Sequence, residues 1–181
     1  MSYFKKMPGK KCYLSPMDIN DAEQYTAWVN DMELARFLTF YNKMIGAESE
    51  REFLRHLSAE HNYAIVTQKG DRLIGNCGFM NLDNYNRTAE AGIFIGEKES
   101  WGKGFGTEAL SLLIGYGVDY LNLRTVFLRV NDFNERARRS YEKIGFREIG
   151  RRRKCILMEG REYDQIYMDL LAEEFREIRG S

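Results

Sequence analysis

An α+β fold in one domain spanning residues 1–181 is what the sequence predicts, and three observations predict it. Apolar residues recur at helical spacing through the first third of the chain and at strand spacing from Tyr63 to Gly96. Helical and strand segments then alternate behind a loop with glycines at 102, 104 and 106. The length of 181 residues suits one domain that can bury a core without disulfide or metal staples.

Taken in order, Tyr13 to Ser15 reads as a short strand entering a helix near Asp18 to Asn30, where Ala22, Tyr25, Trp28 and Val29 share a face. A second helical piece follows at Met32 to Phe40. Ser49 and Glu52 have capping-box spacing before Phe53, Leu54 and Leu57, which marks a third helix start. Tyr63 to Thr67, the turn Lys69-Gly70-Asp71 and Arg72 to Phe79 make a hairpin, and polar residues from Asn81 to Arg87 make the next turn. Thr88 to Gly96 is a strand, Gly106 to Leu121 a helix, Thr125 to Asn131 a strand and Asn134 to Ile144 a helix. Phe146 to Gly150 and Gln165 to Leu170 complete the sheet. No internal repeat, low-complexity tract or linker interrupts this order.

Lys plus Arg equals Asp plus Glu at 27 each, so no global charge draws the chain to nucleic acid or an anionic membrane, and neither is expected as a partner. Cys12, Cys77 and Cys155 are scattered without ligand spacing and read as reduced thiols, which favours a cytoplasmic location. His56 and His61 stand in a charged helical stretch without partners at zinc spacing, so no metal site is expected. Met1 to Lys11 has no apolar signal core, and no window approaches the ~18 apolar residues of a membrane span, so a soluble protein is expected. Charge is uneven locally. Ser15 to Leu34 holds five acids and no Lys or Arg, which is either an attraction for a cationic amine or a solvated helix face. Glu135 to Lys154 carries nine Lys or Arg against three Glu, including Arg151-Arg152-Arg153-Lys154. That run suits a coenzyme phosphate or ribosomal RNA, or is a solvated hairpin edge.

The segment Glu90 to Ala109 is a strand, a glycine-alternating loop and a helix start. Glycines at 102, 104 and 106 let successive N–H groups converge on anionic oxygens, with the helix N-terminus adding partial positive charge. A pyrophosphate is the natural guest. A Walker loop fails, since five residues separate Gly96 from Gly102 and Gly104 follows Lys103. Gly104-Phe105-Gly106-Thr107-Glu108-Ala109 fits the dinucleotide pattern, but a single late βαβ unit does not make a Rossmann domain. A ligand-free tight turn would carry three alternate glycines without packing return.

The loop resembles motif A of the GCN5-related N-acetyltransferases (GNAT), Q/R-x-x-G-x-G/A, with Gly104 and Gly106 as the two glycines and Trp101 in the place of Gln or Arg. The block Asn134-x-x-Ala137-x-x-x-Tyr141-x-Lys143-x-Gly145-Phe146 resembles motif B of the same family at every specified position. The whole chain is most similar to the subgroup holding ribosomal-protein N-terminal and spermidine acetyltransferases. The resemblance implies a mixed, splayed β-sheet flanked by helices, with the strands at Thr88 and Thr125 parting to admit the pantetheine arm of acetyl-CoA. It implies backbone pairing of that arm at Phe94 and Ile95. Trp101, Gly102, Lys103, Gly104, Phe105, Gly106 and Thr107 would wrap the pyrophosphate, and Asn134, Ala137 and Lys143 would line the coenzyme path. Asn134 also suits a helix N-cap.

Amide formation from a thioester needs a neutral amine, while alkylamines near pKa ~10 are mostly protonated at neutral pH, and it needs a proton for the departing thiolate. The resemblance makes Tyr141 the proton donor. Glu90 is the candidate base from its place on the strand beside Gly92 and Phe94, with a water relay as alternative and Glu97 and Glu99 behind it. The expected acceptor is a small-molecule or peptide primary amine, and the sequence leaves room for a homodimer. A non-catalytic acyl-CoA-binding module and a Rossmann-type nucleotide-binding protein are the competing readings.

Overall fold

The computed structural model of the chain describes residues 3–38 and 41–180. The architecture is α+β, and the described residues form an eight-stranded mixed sheet with six α-helices. Packing divides the chain into two compact units, Met1–Phe79 with Ile93–Leu113 and Met80–Gly92 with Ile114–Ser181.

The first unit orders its strands β1 (Met7–Pro8), β2 (Cys12–Pro16), β3 (Asn62–Thr67), β4 (Leu73–Asp83) and β5 (Thr88–Ile95), β4 and β5 continuing into the second unit. The β1–β2, β2–β3 and β3–β4 pairs are antiparallel. α1 (Ala22–Val29) follows a 3₁₀ turn at Ile19–Asp21 that Asp18 caps by accepting the Asn20 N–H. Its face Ala22, Tyr25, Trp28 and Val29 is buried as the spacing requires. Ala22, Tyr25 and Trp28 share a core with Tyr13, Leu34, Leu54, Ala64 and Val66. α2 (Met32–Ala35) is shorter than the helical stretch expected to Phe40, and Phe40 itself lies outside the described residues. α3 (Ala47–Ser58) corrects the capping box: Gly46 is the extended N-cap, so Ser49 sits inside the first turn and caps nothing. Ala47 and Glu48 are strong helix formers, and Glu48 and Glu50 favour the positive helix end, so the helix starts before the serine.

The second unit orders its strands β4, β5, β6 (Thr125–Asn131), β8 (Arg161–Leu171) and β7 (Arg147–Met158), with α5 (Glu135–Ile144) and α6 (Ala172–Gly180). Val126, Leu128 and Val130 alternate into its core. β5 and β6 are parallel, with paired residues Thr88↔Thr125, Ala89↔Val126 and Glu90↔Phe127, after which β6 continues along β8 to Asn131↔Gln165. α4 (Phe105–Asp119) links the two units in the chain, as the crossover of a parallel pair must.

Two strand boundaries depart from the sequence expectation. β4 runs through Asp83, whose carboxylate accepts the N–H groups of Tyr85 and Asn86, so the turn contracts to residues 84–87. β7 extends past Gly150 to Met158 because β8 pairs with it along that length. Glu159 and Gly160 close this hairpin with φ of 51° and 74°, the two positive values a type I′ turn requires. The basic run Arg151 to Lys154 is exposed on β7, with Arg151 paired to Glu148 and Lys154 to Glu162. α6 was not expected at all.

Candidate active site

In the first unit the glycine loop has the backbone its composition requires. Gly102 and Gly104 adopt φ of 70° and 86° with Lys103 between them outside the positive region, the alternation that turns successive N–H groups toward one side. α4 then begins at Phe105, one residue before its expected start, so Gly106 lies in its first turn. Among the described residues no acceptor takes the N–H groups of Lys103 through Thr107, and the first bond back into the loop is Glu108 N–H to the Gly104 carbonyl at 3.1 Å. A Cβ on Gly106 would meet Ile95 and Ile93 side chains at ordinary distances of 3.6 and 3.8 Å. This is a concave array of donors at a helix N-terminus, fit for an anion.

The strand entering the loop is fixed by side chains. Gly96 N–H donates to the Ile74 carbonyl on β4, so Ile95, one residue earlier, presents its backbone groups on the opposite edge. There the Ile95 carbonyl accepts the Trp101 indole N–H at 2.9 Å. Trp101 therefore closes the strand end onto the loop, and its ring packs edge-on against Phe37 at 6.0 Å. Phe94 turns its ring toward Trp28, 6.1 Å between centroids.

Sequence reasoning missed Glu108. In the first turn of α4, its carboxylate accepts the backbone N–H groups of Lys10, Lys11 and Cys12 at 2.9, 2.7 and 2.9 Å. Burial works against its charge, but these donors outweigh burial and hold the carboxyl below the usual carboxylate range. Residues 97 positions apart meet here, which no local pattern signals.

In the second unit α5 carries Asn134, Ala137 and Tyr141 on one stripe at spacings of three and four. Asn134 is the N-cap, accepting the Ala137 N–H at 3.2 Å. Tyr141 is 9% exposed, and among the described residues its hydroxyl has no hydrogen-bond partner. Burial pushes that hydroxyl up to about 12, so it holds its proton at neutral pH. Lys143 is exposed in the last turn.

Glu90 is 4% exposed and both its oxygens are engaged. Oε1 accepts from Arg129 Nε at 2.6 Å, and Oε2 accepts from Asn81 Nδ2 at 3.0 Å. The Glu90 hydrogen bond raises the Arg129 pKa despite partial burial, and Arg129 stands opposite Tyr167 on β8. Arg129, Asn81 and Tyr167 were not singled out from the sequence. The other carboxylates considered as bases sit in the first unit: Glu97 pairs with Arg72 at 2.8 Å and accepts from Ser100, and Glu99 lines an open cleft with Trp28 and Asp31.

One cation serves two of the five acids of the acidic segment. Asp31 and Glu33 both pair with Lys98, at 2.8 and 2.6 Å, Asp18 caps a turn, and Asp21 is buried against the Tyr3 hydroxyl. Glu23 is exposed. Among the described residues no group of three or more His, Cys, Asp or Glu is arranged to hold a metal ion, and no helix is long and apolar enough to cross a membrane.

The first unit holds a donor-lined glycine loop at a helix N-terminus, and the second unit holds a helix with a buried, protonated tyrosine. The profile of the acetyltransferase (GNAT) domain matches residues 11–147, and the chain belongs to that family. A Bacillus subtilis strain 168 protein provisionally named ribosomal N-acetyltransferase YdaF is 33% identical over 167 residues, covering 88% of this chain and 90% of that one. Spermidine N(1)-acetyltransferase of Escherichia coli K12 is 29% identical over 153 residues, covering 84% of this chain and 72% of its own. The crystal structure of Vibrio cholerae spermidine N-acetyltransferase in complex with CoA and spermine superimposes with a TM-score of 0.82. It covers 93% of this chain and 99% of its own, and at 22% identity it shows the fold alone. Homologues and fold together indicate a GNAT N-acetyltransferase.

Proposed function

We propose that this enzyme transfers an acetyl group directly from acetyl-CoA to a small-molecule or peptide primary amine in a ternary complex, with the chain working as one catalytic domain in the cytoplasm. The observation that carries the proposal is the loop itself, with positive φ at Gly102 and Gly104 and uncommitted N–H groups from Lys103 to Thr107. The site fits a pyrophosphate because main-chain donors and a helix N-terminus converge without side chains in the way. Trp101 through Thr107 would hold the pyrophosphate, Phe94 and Ile95 the pantetheine arm, and Asn134, Ala137 and Lys143 the remainder. Acetyl-CoA supplies the activated thioester.

The chain's own residues then have separate tasks. Tyr141 donates its hydroxyl proton to the departing sulfur, a role supported by its retained proton and lack of competing partners. Glu90 serves as a positioning residue at the end of the β5–β6 ladder, since accepting a proton would break its pair with Arg129. The amine proton passes to water. The names of the relatives, one a ribosomal and one a spermidine N-acetyltransferase, support an amine substrate.

A melting-temperature series against CoA, acetyl-CoA, NAD and ATP tests the coenzyme assignment, because a ligand that binds the folded state raises the midpoint. Stabilisation by CoA and acetyl-CoA is expected. Stabilisation by NAD alone would sink it.

A further inference from the structure

We propose that Lys11, on the strap between β1 and β2, is a coenzyme-binding residue that supplies a cation to the pyrophosphate held by the glycine loop. This rests on the coenzyme assignment above. It starts from a contact that spans 92 positions of sequence: Lys11 Nζ donates to the Lys103 carbonyl at 2.6 Å. The ammonium also lies 3.1 Å from where a Cβ on Gly104 would stand, so it sits against the central glycine of the loop.

The position is fixed from both ends. The Lys11 backbone N–H is held by Glu108 Oε2 at 2.7 Å, and Glu108 belongs to the helix that the loop opens. Loop, helix and strap therefore form a closed circuit: α4 holds the strap, and the strap's side chain returns to the loop just before α4. A lysine ammonium has three donors, and the Lys103 carbonyl takes one. Among the described residues no carboxylate forms an ion pair with it, although Glu108 is nearby; that carboxylate is occupied by three main-chain N–H groups and the Cys12 thiol. Two donors and a positive charge without an ion-pair partner among the described residues thus remain beside a row of unpaired N–H groups. An anionic diester is the guest that satisfies both, because a pre-placed cation loses little side-chain freedom when the anion arrives.

The alternative is that Lys11 merely braces the loop. Charge and shape are separable here. Calorimetric titration of CoA and of dephospho-CoA into wild type, Lys11→Met and Lys11→Arg, each at low and high salt, distinguishes the two. Lys11 is exposed, so the ligand-free melting temperature of Lys11→Met should stay near wild type. The expected result is a roughly tenfold weaker affinity of Lys11→Met for both ligands, with a shallower salt dependence, and most of the affinity kept in Lys11→Arg. Equal affinity in wild type and Lys11→Met would overturn the proposal. So would a loss with unchanged salt dependence, which means bracing, or a loss confined to CoA, which moves the cation to the 3′-phosphate. If wild type binds neither ligand, the coenzyme reading itself falls, and that outcome is distinct from the others.

Discussion

Glu90 on β5 and Arg129 on β6 form a 2.6 Å ion pair at the last paired rung of the β5–β6 ladder, with Asn81 on the second carboxylate oxygen. The pair holds the two strands together where their pairing stops. Glu90→Gln keeps the shape and removes the charge, leaving a partly buried guanidinium without its counter-ion. Stability should fall by about 1–3 kcal/mol, read by urea unfolding. The pH–rate profile should keep the wild-type shape at reduced height. Recovery of the mutant at high pH, where more amine is neutral, would instead identify Glu90 as the base.

Tyr141→Phe should bind acetyl-CoA as wild type does and lower the catalytic rate by roughly 10²-fold, the usual contribution of a placed acid. The raised Tyr141 pKa also has a sign for stability. With about 12 in the folded chain against ~10 for a free tyrosine, the native state holds the proton more tightly. The associated stability is complete below pH ~10 and is lost as pH rises toward 12. Tyr141→Phe should therefore show a shallower fall in melting temperature across that window, after subtraction of the change at neutral pH.

Gly104 and Gly106 belong to one motif but should respond oppositely to alanine. At Gly104, φ is 86° and the new methyl would press on the Lys11 ammonium, so Gly104→Ala should destabilise by roughly 1–2 kcal/mol and weaken coenzyme binding. At Gly106 the methyl enters open van der Waals contact inside a helix, so Gly106→Ala should stabilise by about 0.5–1 kcal/mol and leave binding intact. Paired melting curves with and without CoA check both.

Much of this was legible in the sequence where periodicity and local chemistry agree. The strand Thr125 to Asn131 and the buried face of α1 follow from alternation and helical spacing. Asn134 suits a cap as well as the coenzyme path, and it caps α5. The missed features have physical reasons. β7 is polar and exposed along most of its length, and exists because β8 pairs with it, which no property of its own residues announces. Ser49 lost the helix start to Gly46 because propensity upstream of it was already favourable. α6 did carry a readable signal, with Glu173 and Glu174 in the first turn and Ala172 and Phe175 three apart on the buried side. The contacts of Glu108 with the strap, and of Glu90 with Arg129, join residues 96 to 98 and 39 positions apart, and only folding brings them together.

Amine-dependent release of free thiol from acetyl-CoA is the measurement closest to the central claim, run over polyamines, peptides with free N-termini, amino sugars, aminoglycosides and amino acids. The account predicts saturable release that requires both acetyl-CoA and at least one class of primary amine, that yields the N-acetylated amine in equal amount, and that drops by roughly 10²-fold in Tyr141→Phe. Tight CoA binding without thiol release for any amine would contradict it and leave a non-catalytic acyl-CoA-binding module.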